Sequence, residues 1–244
     1  MIHNFSGGDT IFRSSRNIFT EFLPDDITFN LISDAFNFLD LDNIFNTLFS
    51  FYSHKPNKNK PYDPTSLLRL FLLLHSVFSE DKFTLHRDIS KVIPPHYLKL
   101  CGFKDSVPSY TTYYYFKKRI GLSLLHFYFN SFKLALAKAY ISRFSHVIKK
   151  VGFIVLSVDS QPLLVDGNIP KGIIHSHNKF FNGKLGLRLH HAYIVYPFYF
   201  NLFSVFRPAN LHDNSVFNEL IFDNIKSFIS FCRSKGIYVF FYFR

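Results

Sequence analysis

The sequence predicts an α+β chain: an all-helical N-terminal region, then three antiparallel strands, a helix and a fourth strand. Three observations carry that expectation. Apolar residues recur at helical spacing up to about residue 150, and beyond Val151 they form continuous runs of strand type. Charge is partitioned: residues 51–150 hold 17 Lys and Arg against 5 Asp and Glu, whereas residues 1–50 hold 2 against 7. Hydrophobic residues make up 48% of the 244 and charged residues 18%, which suffices for a buried core and excludes a disordered tail.

In order, the chain divides into an acidic helical leader (1–54), a basic helical domain (55–121), a connecting helix (122–150) and a strand-rich part (151–244). Within the leader, Pro24 and Asp25 suit a helix start, and Phe29, Ile32, Phe36 and Leu39 follow at helical spacing. SHKPNKNKPYDP (53–64) is polar, basic and Pro-punctuated, the composition of a linker. Asp63 and Pro64 offer a cap and first turn to PTSLLRLFLLLHSVF, which is apolar almost all round and therefore expected to be buried.

EDKFTLHRDISKVIPPHYLKLCGF supplies a short helix, a break at Pro94-Pro95 and another short helix. In VPSYTTYYYFKKRIG, Tyr113, Phe116 and Ile120 share one face, and Lys117, Lys118 and Arg119 cluster near the C-terminal end. Cations there suit the helix dipole, and the same three fit contacts to DNA phosphates. The Tyr113–Tyr115 run has two readings, base stacking and core packing. Residues 122–150 are expected to continue as one long helix.

The pattern then changes period. VGFIVLSVD reads as a strand that delivers Asp159 at its end. HHAYIVYP and YFNLFSVFRP are two more strands, separated by a tight Pro-containing turn. Asp213 or Asn214 can cap a helix from about 214 to 235 with a stripe of Phe217, Leu220, Ile221, Ile225 and Phe228. Gly236 ends that helix and IYVFFYF begins a fourth strand.

Two cysteines far apart, Cys101 and Cys232, exclude a disulfide framework and a zinc finger and fit a reducing cytosol. No N-terminal segment pairs a basic start with an apolar core, so no signal peptide is expected. The richest apolar run, Leu67 to Phe78, is too short for a bilayer and contains Arg69 and His75. The expectation is a cytoplasmic protein with no membrane partner. The basic middle segment behind an acidic leader suits a polyanion binder, or lysines solvated on helix surfaces.

Residues 61–121 resemble the N-terminal helical domain of insertion-sequence transposases of the DDE class. The resemblance lies in a YDP-led hydrophobic helix, a stretch ending in the Gly102-Phe103 turn, and Pro-Ser-x-x-Thr before an aromatic, basic helix ending in Arg119-Ile120-Gly121. GKLGLRLHHAYIV and FRPANLHDNSVFNELI are similar to the G-x-K-x-H strand and the PAN-x-HD-S turn that follow the first acid in that family. The resemblance implies binding of DNA terminal inverted repeats by the helical domain and a ribonuclease-H-like catalytic core in the second part. It also implies Mg2+ or Mn2+ held by carboxylates, for DNA strand cleavage and transfer; a homodimer is a compatible state. The strand–strand–strand–helix–strand order, with an acid closing the first strand, is itself that of a ribonuclease-H-like fold.

By that resemblance Asp159 is the first metal-binding acid; the alternative is a carboxylate that caps a turn before Pro162. Asp213 is a catalytic candidate too, although a helix-cap role suits the HD motif better. The second acid would follow GIYVFF and the third would lie on a later helix, but the chain reads Tyr242, Phe243, Arg244 and carries neither. Two cations bridging one phosphate need several converging carboxylates, so the expectation is a C-terminally truncated transposase, inactive alone. The alternatives are a non-catalytic DNA-binding protein and a decayed remnant. In IPKGIIHSHNKFFNGKLGLRLH, the residues Lys171, Lys184, Arg188 and His190 are candidate phosphate contacts, with an ordinary exposed loop as the alternative. His175 and His177 have no further zinc ligand at suitable spacing.

Overall fold

The computed structural model describes residues 23–39, 44, 47–48, 62–104, 106–164, 176–177, 185–208, 210–211 and 213–242. The first 22 residues of the leader, linker residues 53–61, and Lys171, His175, Lys179 and Lys184 of the basic loop lie outside them, as do Phe243 and Arg244. The chain divides into two compact units, Thr20–Phe132 and Lys133–Arg244. The first is helical and the second is built on a mixed sheet. Among the described residues, no single helix is long and apolar enough to cross a membrane.

The helical unit begins with α1 (Asp25–Phe38), opened by Pro24 and bearing Asp25 and Asp26 in its first turn, where acids favour the helix dipole. Leu31, Ile32, Ala35 and Phe36 are its buried stripe. α2 (Pro64–Ser76) starts as the sequence predicts: the Asp63 carboxylate accepts from the Ser66 amide at 3.0 Å, and Pro64 occupies the first turn. Leu67, Leu68, Leu70, Phe71, Leu72 and Leu73 are all fully buried, which accounts for a helix apolar all round.

Two short helices follow, α3 (Glu80–His86) and α4 (Pro95–Cys101). Gly102 closes α4 at φ +100°, a left-handed conformation in which a Cβ would lie 2.7 Å from Ser66 Oγ. Tyr97 of α4 is wholly buried and donates its hydroxyl to the Asp25 carboxylate at 2.9 Å, which ties α4 to α1. α5 (Tyr110–Ile120) buries Tyr113, Phe116 and Ile120, the face expected of it. The core reading therefore holds for Tyr113; Tyr114 and Tyr115 are exposed.

The long helix expected over 122–150 is two. α6 (Leu122–Arg143) ends where Phe144 leaves helical geometry at φ −101°, ψ 22°, and α7 (Ser145–Val151) follows. The Phe144 ring lies 4.6 Å from that of Tyr140, itself 4.5 Å from Phe198 beside the sheet, so ring packing accompanies the break.

The sheet unit comprises β1 (Phe153–Leu164), the two-residue β2 (Ser176–His177), β3 (Leu185–Tyr196), β4 (Phe200–Pro208) and β5 (Tyr238–Tyr242). β4, β3 and β1 are successive antiparallel neighbours, and β5 lies on the far side of β1, parallel to it. β2 also pairs with β3, an addition the sequence did not signal.

A parallel neighbour requires a crossover, and this one is helical. It is not the single helix expected over 214–235, but α8 (Asp213–Asn218), a π-helical stretch over Glu219–Asn224, and α9 (Lys226–Ser234). Asn224 donates its side-chain amide to the Glu219 carbonyl, a bond that spans the stretch from its last residue to its first. The Arg207 guanidinium on β4 pairs with the Glu219 carboxylate and anchors the start of that stretch.

Asp159 does not end its strand. It is the seventh of twelve residues in β1, which continues through Pro162 to Leu164 because β3 pairs with it along that length. β5 stops pairing at Ser157, so beyond that point β1 has no described neighbour on its second side. A proline lacking its N–H is tolerated there, and the turn proposed before Pro162 does not form.

Candidate functional site

Alternation along β1 decides what Asp159 faces. Leu156 pairs with Phe241, whose ring meets Phe217 of α8 edge-on at 5.9 Å, so the even positions face the crossover helices. Val155, Ser157 and Asp159 therefore project from the opposite face. Asp159 is exposed there and its carboxylate accepts from the Ser160 amide at 2.8 Å.

Directly across from Asp159 on β3 is His191, and across from His191 on β4 is Ser204. The sequence reading did not single out either residue. Both are buried, and so are Asn201 and Lys133, which reaches the sheet from α6. Lys133 Nζ donates to Asn201 Oδ1 at 3.1 Å and to Ser204 Oγ at 2.8 Å. That contact orients the Asn201 amide, whose nitrogen lies 2.9 Å from His191 Nδ1. Nδ1 is thus the acceptor, which places the imidazole proton on Nε2. Nε2 is buried with no hydrogen-bond partner among the described residues.

Burial, with Lys133 and His190 adding repulsion, pushes the His191 pKa down to about 3, so the ring is neutral at physiological pH. Burial also drives the Lys133 ammonium well below its usual range. Next to His191, the Tyr193 and Tyr199 rings stack at 5.0 Å. Burial raises the pKa of both phenols, and the negative charge of Asp159 adds to the effect. Two features of the sequence could have flagged this cluster: a lysine within the otherwise apolar FKLALA stretch, and the paired histidines of β3.

The remaining candidates are dispersed. His190 is wholly buried on the crossover side of the sheet, opposite Ser160 and Val205. This corrects the expectation that it touches DNA: the helical crossover packs on this face of β3 and removes the ring from solvent. Arg188 is half-buried and donates to the Leu211 carbonyl at 2.9 Å, bracing the turn after β4. Asp213 opens α8, and its side chain lies outside the described part, as do Lys171 and Lys184. β5 carries only Tyr, Val and Phe. Among the described residues, no group of three His, Cys, Asp or Glu could hold a metal ion. Asp159 is a single carboxylate donor and does not by itself make a two-cation site.

In the helical unit, the basic cluster of α5 is divided. Lys117 forms an ion pair with Glu80, a carboxylate that also lies 2.8 Å from His75 Nε2. Lys117 is therefore engaged inside the fold, whereas Lys118 and Arg119 are exposed. Compared with known proteins, the chain matches no protein-family model, no curated protein and no solved structure.

Proposed function

We propose that the chain is a transposase-type, DNA-binding polypeptide whose second unit is the ribonuclease-H-like core of a DDE enzyme, with Asp159 as its first acid. The observation that carries this reading is the sheet order β4-β3-β1-β5, antiparallel except for the parallel β1–β5 pair, which is joined by a helical crossover. An exposed carboxylate on β1, just past its pairing with β5, stands where an acid from each of these two neighbouring strands could meet. Supporting this are the +12 balance of residues 51–150 and the transposase-like motifs over residues 61–121.

Mg2+ or Mn2+ would be held at Asp159 together with phosphate oxygens of bound DNA and with carboxylates beyond those that the described residues bring to it. No strand-cleavage step is assigned to this chain. The non-catalytic reading, in which the polypeptide occupies DNA without cutting it, is favoured by the lack of a metal-holding group of His, Cys, Asp or Glu among the described residues.

Iron-mediated backbone cleavage tests the Asp159 assignment. Fe2+ with ascorbate, in the presence of duplex DNA, is expected to cut the polypeptide next to residue 159. Excess Mg2+ should suppress the cut and Asp159→Asn should abolish it. Cutting elsewhere only, or cutting unchanged in the variant, would remove Asp159 from the reading.

A further inference from the structure

The two faces of α5 differ sharply. Tyr113, Phe116 and Ile120 enter the core, and Lys117 turns to Glu80. On the other side Thr111, Tyr114, Tyr115 and Lys118, spaced i, i+3, i+4, i+7, are all exposed, with Tyr114 at 47% and Tyr115 at 57%. Arg119 is exposed beside them, and α5 contains no acidic residue. Large aromatic side chains left this open by an ordered helix mark an interaction surface.

The surface is also preorganised. Tyr110 meets Phe83 of α3 edge-on at 5.4 Å and stacks with Tyr114 at 6.4 Å, which fixes the first turn and supports the exposed ring. The exposed Arg87 guanidinium lies 6.0 Å from the Tyr110 ring and extends the positive charge beyond the helix. Its sequence neighbour Asp88 is engaged in capping, accepting from the Ser90 amide at 3.0 Å and the Ser90 hydroxyl at 2.7 Å.

The composition selects the partner. The exposed face has no Leu, Ile or Val, so it lacks the aliphatic ridge that seats a helix on another protein or in lipid. It offers hydroxyls, rings and cations, which suit base edges and phosphates. An eleven-residue helix is about 16 Å long and, with side chains, about 10–12 Å wide. That width matches a DNA major groove of about 12 Å.

We propose that the exposed face of α5 inserts into the major groove of duplex DNA, with Thr111, Tyr114 and Tyr115 toward the base edges and Lys118, Arg119 and Arg87 along the phosphates. This rests on the DNA-binding part of the reading above and not on Asp159.

The test is anisotropy of a fluorescein-labelled duplex of about 30 base pairs, titrated with the full chain across a salt series. Lys118→Ala is expected to lower the slope of log K against log salt by about one and to weaken binding to all sequences alike. The double variant Tyr114→Ala, Tyr115→Ala is expected to lose about tenfold or more in affinity with the slope unchanged. Lys226→Ala, which removes an exposed cation from α9, should leave binding as it was. The thermal transition of each variant confirms that it is folded.

Variants of α5 that bind within twofold of the parent would overturn the proposal. So would tighter binding to a single strand than to the duplex, or no salt-dependent binding by the parent. Loss of the iron cut at residue 159 with the α5 effects intact would sink the catalytic assignment alone.

Discussion

Glu80 shows how a single residue changes the reading of a charged cluster. It is 11% exposed and lies between His75 and Lys117. Burial opposes its charge, but the two neighbours outweigh burial and hold the carboxyl at about 2, against an ordinary 4.5. A depressed carboxyl contributes stability above its unfolded pKa, and that stability is lost as pH falls through 4.5 toward 2. The shift corresponds to about 3 kcal/mol, so the helical unit should lose that much between pH 6 and pH 2. Denaturant titrations of Glu80→Gln should show a much flatter pH dependence over that window. Gly102 gives a second residue-scale expectation. With φ at +100° and Ser66 Oγ in the place of a Cβ, Gly102→Ala should cost about 1–3 kcal/mol, read as a lower midpoint in urea.

Among the elements, β1 and the crossover depart furthest from a simple pattern. β1 runs five residues past Asp159 because β3 is long enough to pair with all of it, so the acid projects from mid-strand rather than from a strand end. The crossover is interrupted by a π-helical stretch whose first residue, Glu219, is held by Arg207 of β4. Both partners are about a third exposed, so the pair is worth only about 0.5–1 kcal/mol. Arg207→Met should barely change global stability yet speed hydrogen exchange of the amides over 219–224, since the anchor acts locally. Equal exchange in parent and variant would show that the stretch is held by packing alone.

For the whole molecule, the net charge of +11 and its concentration in residues 51–150 set the expected behaviour toward polyanions. Binding to duplex DNA should weaken steeply and linearly in log–log terms as salt rises, and a flat response would contradict a phosphate-led interaction. With Asp159 in no metal-holding group of His, Cys, Asp or Glu among the described residues, residues 1–244 as an isolated polypeptide should bind DNA without nicking it in Mg2+ or Mn2+. A supercoiled plasmid assay reads this directly, and metal-dependent nicking lost in Asp159→Asn would show that further ligands are present.

Elements that depend on local chemistry could be read from the residues alone. The Asp63-Pro64 start of α2, the buried face of α5, the switch to strands after Val151 and the return through Gly236 were all legible, because caps, periodicity and glycine conformation act within a few residues. Tertiary structure decided what depends on neighbours distant in the chain. Lys117 was separated from Lys118 by Glu80, 37 residues away in sequence. His190 was buried because its face of β3 lies against the helical crossover, and Lys133 was drawn to Asn201 and Ser204 across about seventy residues. A cation reads the same in sequence whether it faces water or a buried carboxylate. The choice between them rests on desolvation and pairing, and both exist only once the chain has folded.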